Sequence, residues 1–121
     1  MPRVIEIRSY RLQPGRREDF HRLVLEASLP MLRRWNVDVV AAGPSLNGPD
    51  DYHLIRAYDS VAALRREQAA FYGNAEWREG PREAILALIE AHTSTVVALS
   101  ENGIDRLRDP AGPADDGQQV S

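Results

Sequence analysis

Glu6, Arg8 and Tyr10 occupy alternate positions in the opening segment Arg3 to Leu12, so an extended chain sets a carboxylate, a guanidinium and a phenol in one row. Such a row has an obvious chemistry. Arg8 can clamp a substrate carboxylate or enolate, Glu6 can serve as a base, and Tyr10 can polarise a carbonyl oxygen. A plainer role is equally open: Glu6 and Arg8 can form a buried ion pair across a seam between two copies of the chain. His53 and His92 supply imidazoles for proton transfer. Each also has an ordinary explanation, as a packed strand histidine and as a helix-end residue complementing the dipole. Arg56 and Tyr58 repeat the Arg8 and Tyr10 types on a later segment and extend either version of the row. Trp77 lies on an irregular stretch able to close over a pocket, and it joins Arg56, Tyr58 and His92 as a substrate-contact candidate. Trp35, Phe20, Phe71 and Tyr72 fall at helical or turn positions, where aromatics usually pack the core.

The composition removes several chemistries. The 121 residues include no Cys, which excludes disulfides, thiolate nucleophiles and iron–sulfur ligation. All 15 cationic side chains are Arg; without Lys there is no Schiff base and no lysine-bound pyridoxal phosphate. His21, His53 and His92 lack any local ligand spacing, so no metal site is expected. No Gly-rich phosphate loop and no nucleophile elbow occurs. A net charge of −3 gives no reason to expect nucleic acid or an anionic membrane as partner. The N-terminus runs straight into a strand pattern, and no apolar run approaches the ~20 residues of a membrane span, so a cytoplasmic protein is expected.

Elements must position these groups. Arg3 to Leu12 alternates as a strand and stops at Pro14-Gly15. A helix from about Arg16 carries Phe20, Leu23, Val24, Ala27, Met31 and Trp35 at helical spacing, with Pro30 set to kink or restart it. Val37 to Ala42 and Tyr52 to Tyr58 read as strands joined through the turn-rich Gly43 to Asp50. Asp59 or Ser60 can cap a second helix to about Tyr72, Asn74 to Gly80 makes a short turn, and Pro81 opens a helix to about Glu90. Thr93 to Leu99 is the fourth strand. The domain is expected to span residues 1–100, with 101–121 a flexible tail.

Two strand–helix–strand halves joined by a hairpin form a split, ferredoxin-like β-α-β-β-α-β unit of the α+β class. Short connections order its four antiparallel strands 4-1-3-2 and put the helices on one face. The other face is left for a partner, most simply a second copy. Ile5-Glu6-Ile7-Arg8-Ser9-Tyr10, Leu12-Gln13-Pro14-Gly15, His53-Leu54-Ile55-Arg56-Ala57-Tyr58-Asp59-Ser60, Arg65-Arg66 and Asn74-Ala75-Glu76-Trp77 resemble, in order, NIPSNAP-type domains of the dimeric α/β-barrel superfamily. The resemblance covers roughly residues 3 to 99. It implies a homodimeric barrel with a small-molecule pocket in each protomer, and His53 sits where the NIPSNAP pattern tends to carry His. The wider superfamily implies an isomerase, cyclase or monooxygenase on an enolisable substrate, with no bound cofactor; a non-catalytic binding domain and a haem protein ligated by His53 or His92 are the alternatives. In the expected mechanism Arg8 and Tyr10 hold the substrate oxygen and His53 moves the proton.

Overall fold

A computed structural model describes residues 2–108. The elements run β1 (Arg3–Leu12), α1 (Arg17–Leu23), a π-helical turn (Val24–Ser28), α2 (Leu29–Arg34), β2 (Asp38–Pro44), β3 (Asp51–Tyr58), α3 (Val61–Gly73), α4 (Ala75–Glu79), α5 (Arg82–Ala87), β4 (Ile89–Leu99) and α6 (Glu101–Arg108). The strands form one sheet in the order β2-β3-β1-β4, every neighbouring pair antiparallel. This is the α+β, ferredoxin-like arrangement expected from the pattern of elements.

Local chemistry accounts for where the elements begin. Ser60 caps α3 by accepting from the Ala63 amide, and Asn74 caps α4 by accepting from the Trp77 amide. The first helix is interrupted by the π-helical turn. Pro30 has no N–H to give to the carbonyl four residues back, and the preceding turn widens so that the Leu29 amide bonds to the Val24 carbonyl.

Two boundaries differ from expectation. β4 begins at Ile89, so His92 is a strand residue and not the end of a helix. Hydrogen bonding to β1, continued past a bulge to the Leu12↔Ile89 pair, outweighs the local preference of that segment. The chain also continues past residue 100 as α6. Ser100 Oγ accepts from the Gly103 amide to start this helix, and Ile104 is 0% exposed beneath it. The remainder of the expected tail, 109–121, lies outside the described residues.

The two sheet faces are covered differently. Helices α1 to α5 bury the face bearing Leu12, Tyr52, Leu54 and Tyr58, where they enclose Phe20, Leu32, Phe71 and Trp77. On the opposite face, among the described residues, α6 alone packs against the sheet, joining Ile5, Val40 and Ala57 through Ile104. Arg108 fixes α6 to β2 through Asp38, at 2.8 and 2.9 Å.

Candidate functional site

Strand register assembles the site. The cross-strand pairs Glu6↔Arg56, Arg8↔Leu54 and Tyr10↔Tyr52 join β1 to β3, while Glu6↔Val96, Arg8↔Ser94 and Tyr10↔His92 join β1 to β4. Opposed residues in a ladder share a face. Glu6, Arg8, Tyr10, Arg56, Tyr58 and His92 therefore stand on the helix-covered face. Ser9 pairs with His53, which puts His53 on the other face, beside Ser45 at 3.0 Å. The register thus separates His53 from Arg8 and Tyr10, with which the expected mechanism had combined it.

At the centre of the covered face Glu6 is saturated. Its Oε1 accepts from Arg56 Nη2 at 2.6 Å and from Gln68 Nε2 at 2.8 Å; its Oε2 accepts from Arg8 Nη2 at 2.9 Å and from Ser94 Oγ at 2.8 Å. Burial by itself would raise the Glu6 carboxyl. The guanidinium charges of Arg56 and Arg8, with the bonds from Arg56 and Ser94, overcome that and bring it down to about 2. A carboxylate so firmly ionised and fully bonded makes a poor base, and the geometry gives Glu6 the part of an anchor for two arginines. The ion pair also closes within one chain, under helix α3, instead of across a seam.

Tyr72 completes the cluster from α3. Its hydroxyl accepts from Arg56 Nη1 at 2.7 Å and from Arg8 Nη1 at 3.5 Å, and both guanidinium carbons lie within 6 Å of its ring, at 5.6 and 5.8 Å. Burial works against the charge of Arg56, but the neighbouring Tyr72, Tyr58 and Glu6 more than compensate and hold it protonated. Tyr58 is tied in by a 3.1 Å bond from Gln68. Gln68, Tyr72 and Ser94 were not singled out in the sequence as chemical residues. Gln68 and Tyr72 lie four apart on one stripe of α3, which was the available signal; Ser94 shows only through the β1–β4 register.

Next to this cluster the helices and sheet leave an apolar cavity of about 40 Å³, walled among others by Tyr10, Leu54, Phe71, Tyr72, Trp77 and Ser28 of the π turn. Trp77 packs edge-on to Tyr72 with ring centroids 5.4 Å apart, so this candidate forms part of the wall. Tyr10 also borders a more open cleft of about 170 Å³ at the end of the sheet, with Tyr52, His92, Asn47, Asp51 and Arg11. The Tyr10 and His92 ring centroids lie 6.3 Å apart. Burial, reinforced by Tyr72, pushes the Tyr10 hydroxyl up to about 12 despite the pull of Arg8 and Arg56, so Tyr10 is a donor at neutral pH. Tyr52 is likewise raised by burial, and its hydroxyl meets His21 Nδ1 at 2.6 Å. Burial lowers the His53 imidazole.

Neither His53 nor His92 borders the apolar cavity. Among the described residues no group of three or more His, Asp or Glu is placed to hold a metal ion. Among the same residues no helix is long and apolar enough to cross a membrane.

This architecture has known relatives. A NIPSNAP-like domain protein from Burkholderia xenovorans superposes with a TM-score of 0.72 at 19% identity, covering 78% of this chain and 83% of the other. A NIPSNAP family protein of unknown function from Agrobacterium tumefaciens gives 0.73 at 21% identity, with 81% and 88% covered. A Bordetella bronchiseptica protein provisionally named an antibiotic biosynthesis monooxygenase gives 0.60 at 23% identity, with 80% and 96% covered. At such identities the likeness establishes the fold alone. No curated protein matches the chain significantly. The NIPSNAP family model, however, matches residues 5–101, from the first buried residue of β1 to the start of α6 and across every residue of the site. The chain is a member of the NIPSNAP family.

Proposed function

We propose that this NIPSNAP protein is a small homodimeric enzyme that binds an enolisable small molecule between sheet and helices. It would isomerise, cyclise or oxygenate that molecule through its enolate without a bound cofactor. The observation that carries the reading is the position of Tyr10. This protonated phenol borders both the aromatic cavity and the cleft containing His92, with the Arg8–Tyr72 cluster beside it.

Enolisation needs a base at a C–H and a donor at the adjacent carbonyl oxygen. In this reading His92, across the ladder from Tyr10, takes the proton; the bonding electrons move to the substrate oxygen, where Tyr10 and Arg8 stabilise them. His53 has no part in this step because it stands on the other face. The apolar wall of Leu54, Phe71 and Trp77 excludes water from the enolate and strengthens these bonds. The provisional name of the Bordetella protein is consistent with oxygenation as the later step, and the uncovered sheet face supports a second copy as partner.

The test is deuterium exchange at the α-carbon of β-keto acids and 1,3-diketones in D₂O, followed by proton NMR. Exchange above the buffer rate that disappears in Tyr10→Phe supports the reading. A binding domain without catalysis would leave exchange at the buffer rate for every compound.

A further inference from the structure

The buried cluster carries more positive charge than it neutralises. Arg8 and Arg56 bring two cations and Glu6 one anion, and among the described residues no other carboxylate lies within ion-pair distance of either guanidinium. The side chain of Arg56 is 1% exposed and that of Arg8 is 17% exposed, so solvent screens the excess poorly. An uncompensated charge in such a place is costly unless something balances it. Glu6 has no capacity left, since each of its oxygens already accepts two hydrogen bonds. Donors, by contrast, remain. Arg56 Nε is buried with no partner, and the Tyr72 hydroxyl accepts from both arginines while its own hydrogen has no acceptor among the described residues.

We propose that this cluster is the anion-recognising end of the site, and that the substrate is a monoanion with an apolar body. Its charged oxygen, a carboxylate or an enolate, sits against Arg8 and the Tyr72 hydroxyl. Its body lies along the aromatic wall that Tyr72 shares with Tyr10 and Trp77. Arg8 makes the contact, being the less buried of the two arginines, while Arg56 and Glu6 hold Arg8 and Tyr72 in place. One net charge matches a monoanion and leaves a dianionic phosphate half unpaired. Tyr72 is then a substrate-contacting residue, with its ring in the wall and its hydroxyl in the charged cluster.

The inference rests on the cavity being a binding site, and one experiment separates the two. Calorimetric titration of the full chain with benzoate and with its neutral isostere benzamide compares the same planar body with and without the charge. Benzoate should bind at least about tenfold more tightly, as a charge-assisted contact to a shielded guanidinium requires. Arg8→Gln leaves Glu6 and Arg56 as a balanced pair and should abolish the preference by weakening benzoate. Tyr72→Phe should weaken benzoate several-fold. Equal binding of the two compounds by the native chain, or a preference that survives Arg8→Gln, overturns the monoanion proposal and leaves the cavity reading standing. If neither compound binds, the cavity reading falls and the proposal with it. The native-chain comparison decides the matter even if a variant fails to fold.

Discussion

Strand β1 divides the molecule into two regions built on opposite principles. Toward helices α1 to α5 it presents Glu6, Arg8 and Tyr10, a polar row in which Glu6 is buried and the other two are half-buried. Toward the other side it presents Ile5, Ile7 and Ser9, an apolar row under partial cover from α6, with Val97 of the neighbouring strand 40% exposed. Glu6 is as deeply buried as Ile5, each 3% exposed, so a charged residue on this strand shares the burial of its apolar neighbour. Ordinary partition by hydrophobicity would leave the charged row in water. Burial of the charged row is tolerable on the covered face because Glu6 bonds to both arginines. On the open face, among the described residues, α6 covers Ile5, Val40 and Ala57 and leaves Val97 partly exposed, the surface to which the proposed second copy is assigned.

The largest test of this contrast removes the anchor. Glu6→Gln leaves two buried guanidinium groups without their counter-charge and should lower unfolding free energy by about 4 kcal/mol, read by urea denaturation. The same residue makes an acid signature. Its folded pKa of about 2 lies below the ordinary 4.5, so the stabilisation is complete above pH 4.5 and is lost as the pH falls from there toward 2. The native chain should show that slope, and Glu6→Gln should not.

On the opposite face Ile104→Ala should cost about 3 kcal/mol through the cavity left under α6. No loss of stability would mean that the helix rests on the sheet without packing into it. The two imidazoles give the sharpest functional contrast. His92→Ala should slow α-carbon deuterium exchange by about 100-fold, as removal of a general base does, while His53→Ala should leave it within about twofold. The reverse order would move the chemistry to the open face. The mildest change is Val97→Asp, which should convert a dimer to monomer by light scattering without altering benzoate binding in the cavity. Loss of that binding would show that the partner completes the pocket.

Much of this was legible from residue order. Alternation along Arg3 to Leu12 defined two rows, and a cap at Asp59 or Ser60 located the start of α3. His53 was misleading because a histidine in a strand looks alike on either face until the register is known. Tyr72 passed for a core aromatic because its ring is indeed packed; only its hydroxyl reaches the arginines. Ser100 carried a capping signal that the polar composition beyond it obscured, and Ile104 gave the helix something to bury.

Sequence alone determined the strand–helix alternation, the membership of the two β1 rows, and the absence of Cys and Lys chemistry, because these depend on local spacing and residue type. Tertiary structure decided which row the helices cover, that Glu6 is an anchor with no freedom to act as a base, and that His92 and not His53 stands beside Tyr10. Those outcomes depend on pairing between strands far apart in the chain. A shift of one residue in that pairing reverses every face, and no local feature of the sequence reports it.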